Sequence, residues 1–108
     1  MSPSFDINAM RFSVRRGLIE WQRHALERMA ERGIFRDEVT DVLLQGDMVE
    51  NYPQDFPFPS GLFLGNAAGR QLHVVAAMNR SSGTVYVITA YEPDLITFEP
   101  DRKTRRKK

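Results

Sequence analysis

The sequence predicts an α+β fold: a helical hairpin packed on a four-stranded antiparallel sheet. Three observations carry that expectation. Between residues 19 and 46, apolar side chains recur at helical spacing and are interrupted by Gly33 and Gly46. Beyond residue 46 the apolar residues fall instead into short runs of strand length. Those runs are separated by clusters of Pro, Gly, Ser and Asn, the residues that turns require.

Taken in order, residues 1–18 show no clean period. "MRFSVRR" alternates weakly and reads as a strand or an irregular N-terminal arm. From Ile19 to Arg32 the pattern predicts a helix, with Trp21, Ala25, Leu26, Met29 and Ala30 on one broad face and Gly33 as its C-cap. "FRDEVTDVLLQG" predicts a second helix with acids in its first turn and Gly46 as its stop. "MVENY" is a short strand, and "PQDFPFPSG", with three prolines in nine residues, is a loop. "LFLGNA" and "RQLHVVAAMN" follow as strands around a turn at "AAGR", then "TVYVITAY" after the turn "RSSG". If Gly83 closes a three-residue loop with positive φ, His73 pairs with Tyr91 and Val75 with Thr89. A change of one residue in that loop would turn Tyr91 to the other face.

At 108 residues the chain is one domain, with 42% hydrophobic and 27% charged side chains, an ordinary soluble composition. No apolar run is long enough to span a bilayer, so a membrane partner is not expected. The absence of cysteine removes disulfides, thiolate metal sites and cysteine nucleophiles, and fits the reducing cytoplasm. The net charge of +1 conceals an asymmetry. The tail "RKTRRKK" holds six of the 15 basic residues, leaving nine basic and 14 acidic side chains before it. The chain therefore divides into an arm over residues 1–18, a domain over 19–101 and a disordered basic tail over 102–108. Such a tail either binds a polyanion, meets an acidic partner or merely aids solubility.

Two places carry groups able to do chemistry. His24, Arg28 and Arg32 follow one another at intervals of four residues, spanning only about 80° of helix surface. Arginine grips phosphate in two places and imidazole moves a proton near neutral pH. The plain alternative is a solvated face, because Glu20, Glu27 and Glu31 are interleaved with the stripe. His73 lies in the apolar run "GRQLHVVAA", with Arg70 at the start of its strand and Thr89 and Tyr91 on its neighbour in the register above. It is either a hydrogen-bonded core residue or a proton-transfer group. Metal-free RNA cleavage needs a base for the 2′-hydroxyl, an acid for the leaving 5′-oxygen and cations for the phosphate. Two histidines beside arginines fit that need. They make a poor metal site without an acidic cluster, and no cofactor loop is present, since "GNAAGR" lacks the lysine and spacing of a phosphate loop. Tyr52 either lines the same cleft or covers core.

"RHALERMAERGI", "GRQLHVVAA" and "VITAYEPD", in this order and spacing, resemble a bacterial family catalogued as domain of unknown function 4258, over about Arg23 to Arg102. The resemblance implies small bacterial proteins, often encoded beside antitoxins, and a fold similar to the barnase–RelE group of ribonucleases. His24, Arg28, Arg32, Arg70, His73 and Tyr91 match motif positions of the family. Together these features lead to the expectation of a toxin from a toxin–antitoxin pair, acting on RNA as a metal-independent endoribonuclease with a cognate antitoxin protein as partner. In that reading His24, Arg28, His73 and Tyr91 are catalytic, and Arg32, Arg70 and Thr89 hold phosphate. A non-catalytic module that binds protein or RNA is the alternative, and a homodimeric regulatory or phage-defence component is a third option.

Overall fold

The computed structural model describes residues 5–93 and 103–105. Among these, three helices and five strands run in the order α1 (Ile7–Arg15), β1 (Ile19–Trp21), α2 (Arg23–Arg32), α3 (Arg36–Gln45), β2 (Asp47–Tyr52), β3 (Ser60–Ala67), β4 (Arg70–Met78) and β5 (Val85–Tyr91). The strands form one sheet in the order β1-β5-β4-β3-β2. Neighbours are antiparallel except β1, which lies parallel to β5 with Ile19 opposite Val85. The architecture is α+β as predicted. The four-stranded antiparallel sheet becomes a five-stranded mixed one, and the hairpin becomes three helices.

Two elements account for that correction. Residues 7–15, within the stretch expected to be an arm, are helical because Asp6 caps them, its carboxylate accepting from the Ala9 amide at 2.9 Å. The spacing of Met10 and Val14, both buried, then sets one face of α1 into the core. Residues 19–21, expected to open the next helix, alternate apolar, polar, apolar and are extended instead. The helix begins after Gln22, whose backbone is itself extended.

The three helices share one face of the sheet. Met10 and Val14 of α1, Ala25 and Met29 of α2, and Val39, Val42 and Leu43 of α3 pack with Phe63, Leu72, Val74, Ala76, Met78, Val85, Val87 and Ala90 in one buried cluster. Phe5 meets Phe63 edge to face at 5.6 Å. Gly33 ends α2 in the left-handed region at φ 67°, as its position predicts. Arg11 of α1 donates to the carbonyls of Leu43 and Gly46 at 3.1 and 2.5 Å, capping the end of α3 with a cation.

Strand alternation sends the other residues to the opposite face, which is helix-free among the described residues. In β4 these are His73, Val75 and Ala77, interleaved with the core residues Leu72, Val74 and Ala76. The predicted register is present: His73 is opposite Tyr91 and Val75 opposite Thr89. The route to it differs. The turn leaves Met78 opposite Val85, and a bulge between Val75 and Ala76 on the partner side then advances β5 by one residue at Ile88. Gly83 has the expected positive φ, 79°. Among the described residues no helix is long and apolar enough to cross a membrane.

Candidate functional site

The stripe on α2 and the histidine of β4 belong to different surfaces. α2 buries Ala25 and Met29 against the helix side of the sheet, and His24 is exposed on its outer surface. His73 points to the other side and is wholly buried, at 0% exposure. The two imidazoles that the sequence suggests as an acid–base pair are thus separated by the sheet itself. Arg28 pairs with Glu31 at 3.1 Å on the exposed helix face, the solvated network that the interleaved glutamates allowed. Arg32 is the member of the stripe that reaches the sheet. β1 pairs with residues 85–87 of β5, and beyond them Arg32 lies along the strand, donating to the Ala90 carbonyl at 2.9 Å and reaching the Thr89 hydroxyl at 3.5 Å.

Arg70 is engaged within the fold. It shares the helix-facing side of β4, opposite Ala67, and its guanidinium ties three elements together. Nη2 donates to the Gly33 carbonyl at 2.5 Å and to Glu38 at 3.0 Å, and Nη1 lies 3.7 Å from Glu92. Glu38 is buried, and its carboxylate also accepts from the Phe35 amide at 2.8 Å, the position that starts α3. That backbone hydrogen bond and the Arg70 guanidinium outweigh burial and hold the Glu38 carboxyl below its ordinary 4.5. A depressed folded value adds stability that is complete above the unfolded value and is lost as pH falls through the folded one. Unfolding midpoints measured from pH 7 downward are therefore expected to hold steady until about pH 4.5 and drop below it, and Glu38→Gln is expected to flatten part of that drop.

What gathers on the helix-free face is a different set. Tyr91 lies edge to face with His73, ring centroids 5.4 Å apart. Two strands away, Glu50 of β2 sits in the cross-sheet row Glu50, Leu62, Val75, Thr89. Asp47 begins the next row, with Leu64, His73 and Tyr91. Tyr52 hydrogen-bonds the Glu50 carboxylate. The Glu50 carboxyl is lowered first by hydrogen bonds from Arg105, against burial, with further lowering by Tyr52 and by the charges of Arg105 and His73. Burial and the neighbouring carboxylate push the Tyr52 hydroxyl up. Phe58, from the proline-rich loop, stacks on Tyr86 at 5.5 Å and covers the other end of this face.

The sequence reading therefore placed His73, Thr89 and Tyr91 on one face, as found, and missed Glu50. The signal was hidden by a bulge. Met48 and Glu50 are two residues apart and in a regular strand would face the same way, but the register shifts between them. Met48 consequently packs toward the core beside Phe63 while Glu50 turns to the helix-free side. In the basic tail, Lys103 lies 3.1 Å from Asp47, and Arg105 donates to both oxygens of Glu50 at 2.5 and 2.9 Å. Arg102 and residues 106–108 lie outside the described residues. Among the described residues no three His, Asp or Glu side chains converge as metal ligands.

Chemically, one face of the sheet carries a carboxylate paired with a phenol and a guanidinium, and in the next row an imidazole against a second phenol. Such groups can take up a proton, give one and hold an anion. No curated protein matches the chain. Residues 21–92 match the family described as Domain of unknown function (DUF4258), two thirds of the length and covering β2 to β5 with α2 and α3, and the chain belongs to that family.

Proposed function

We propose that the protein is the toxin of a bacterial toxin–antitoxin pair, a metal-independent endoribonuclease whose chemistry is done on the helix-free sheet face. The observation that carries this reading is the pair of adjacent cross-sheet rows there. Glu50, hydrogen-bonded by Arg105, begins one, and His73 with Tyr91 against its imidazole stands in the next. In this mechanism the Glu50 carboxylate takes the proton of an RNA 2′-hydroxyl. The 2′-oxygen bonds to phosphorus, the bond from phosphorus to the 5′-oxygen breaks, and His73 gives that oxygen its proton. The products are a 2′,3′-cyclic phosphate and a free 5′-hydroxyl. Once released from Glu50, Arg105 supplies the positive charge that the phosphate needs, and Tyr91 fixes the imidazole plane. Arg32 and Thr89, at the β5 edge, hold a neighbouring phosphate. His24, Arg28 and Arg70 take no part, for the geometric reasons above. The toxin assignment and the antitoxin partner are proposals carried over from the resemblance described in the sequence.

The complete burial of His73 favours a second reading, a module of the same fold that binds RNA or protein without cleaving it. Incubation of the purified chain with RNA in the presence of a chelator separates the two. Fragments ending in 2′,3′-cyclic phosphate support the nuclease. Intact RNA with a salt-sensitive mobility shift supports the module and refutes the nuclease.

A further inference from the structure

Past Pro93 the next described residues, Lys103 to Arg105, stand at β2, across the sheet from the end of β5. There they meet the two acids of the helix-free face. Lys103 takes Asp47 and Arg105 takes Glu50 through two donors. Asp47 and Glu50 begin the cross-sheet rows that run beside and through His73. Lys103 also walls a polar hollow with Gly46, Asp47, Asn66 and Gln71. The side chains of Lys103 and Arg105 are 49% and 52% exposed, so water and salt screen these pairs and each holds weakly. The same two cations belong to a run of six in an otherwise acidic chain, the composition that a single-stranded nucleic acid attracts. A guanidinium whose two donors are on Glu50 cannot at the same time grip a phosphate, so the two attachments exclude each other.

We propose that the basic C-terminal segment is an intramolecular competitor at this face: Lys103 and Arg105 dock on Asp47 and Glu50 and restrain access, and a single-stranded polyanion draws them off. The identification of the face as a site of RNA cleavage rests on the reading above, whereas the exchange of tail for polyanion stands separately from it. Docking also keeps Glu50 paired while no substrate is present, which in the nuclease reading makes the resting chain inactive and RNA its own activator.

The test uses the full ¹⁵N-labelled chain and oligothymidylate, a DNA strand that lacks the 2′-hydroxyl and cannot be cleaved by the proposed route. On saturation the amides of residues 103–105 are expected to leave their docked positions while those of Asp47 and Glu50 shift. The variant K103E/R105E is expected to show displaced Asp47 and Glu50 amides with no oligonucleotide present. Release engages all six tail cations, so affinity is expected to fall about 300-fold between about 50 and about 200 mM salt. With two cations still docked the fall would be only about 50-fold. Unmoved tail amides at saturation, the smaller salt effect, or no binding at all would overturn the proposal. Failure of RNA cleavage with the exchange intact would count against the nuclease reading alone.

Discussion

His73→Asn is expected to lower the rate of RNA cleavage about 10²–10⁴-fold, the range of a positioned proton-transfer group, while His24→Asn leaves it within about twofold. The contrast follows from the sheet. His73 is on the face that carries Glu50 and Tyr91, and His24 is on the outer surface of a helix packed against the other side. Asparagine retains a polar head of similar reach, so the buried position is not left as a large cavity. Far-ultraviolet circular dichroism and the thermal midpoint of each variant establish that the fold persists. Glu50→Gln is the companion. It removes the base while preserving an acceptor for Arg105 and Tyr52, and its loss of rate is expected to match that of His73→Asn with no large change in KM. Equal losses for the His24 and His73 variants, with both folded, would place the chemistry elsewhere.

The second large effect concerns stability and lies far from that face. Gly46→Ala is expected to destabilise the protein by about 3 kcal/mol, lowering the thermal midpoint by about 10–20 °C. Gly46 joins α3 to β2, where a β-carbon would stand 2.4 Å from the Leu64 carbonyl oxygen and 2.6 Å from that of Val42. Both are backbone atoms, one in a paired strand and one in a helix, so neither can turn aside as a side chain would. The strain reaches the capping of α3, because the Gly46 carbonyl is one of the two held by Arg11. Gly33→Ala is the control. Gly33 needs its hydrogen side chain only for a positive φ, with open space around it, and its replacement is expected to cost about 1 kcal/mol. Differential scanning calorimetry on the pair distinguishes crowding from backbone preference, and a Gly46→Ala midpoint within about 3 °C of the parent would refute the first.

These particulars show which features a linear reading captures. α3 was legible end to end because the acids of its first turn and its terminal Gly46 bracket a clean helical period. The pairing of His73 with Tyr91 was reached through the wrong turn. A longer loop and a bulge at Ile88 together reproduce the register that a three-residue loop alone would give. Bulges leave no reliable mark in sequence, and the one between Met48 and Glu50 concealed the carboxylate on which the site now centres. The start of the chain failed for a different reason. α1 carries arginines at both its middle and its end, and its real signal, Asp6 followed by buried positions at Met10, Ser13 and Val14, was outweighed by the local alternation of "MRFSVRR". The three residues of β1 are too few for any period to decide. Their conformation is set by the strand they join.

That last contact has a bearing on how the chain is made. Ile19 leaves the ribosome long before Val85, the residue it must lie beside, so the growing polypeptide carries a strand whose partner does not yet exist. A message that stops short of codon 85 yields a product in which Val74, Ala76 and Met78 lack their neighbours on β5 and remain open to other chains. Pairing of β1 therefore waits until β5 has been made, and until then these apolar side chains are the part of the chain most open to wrong partners.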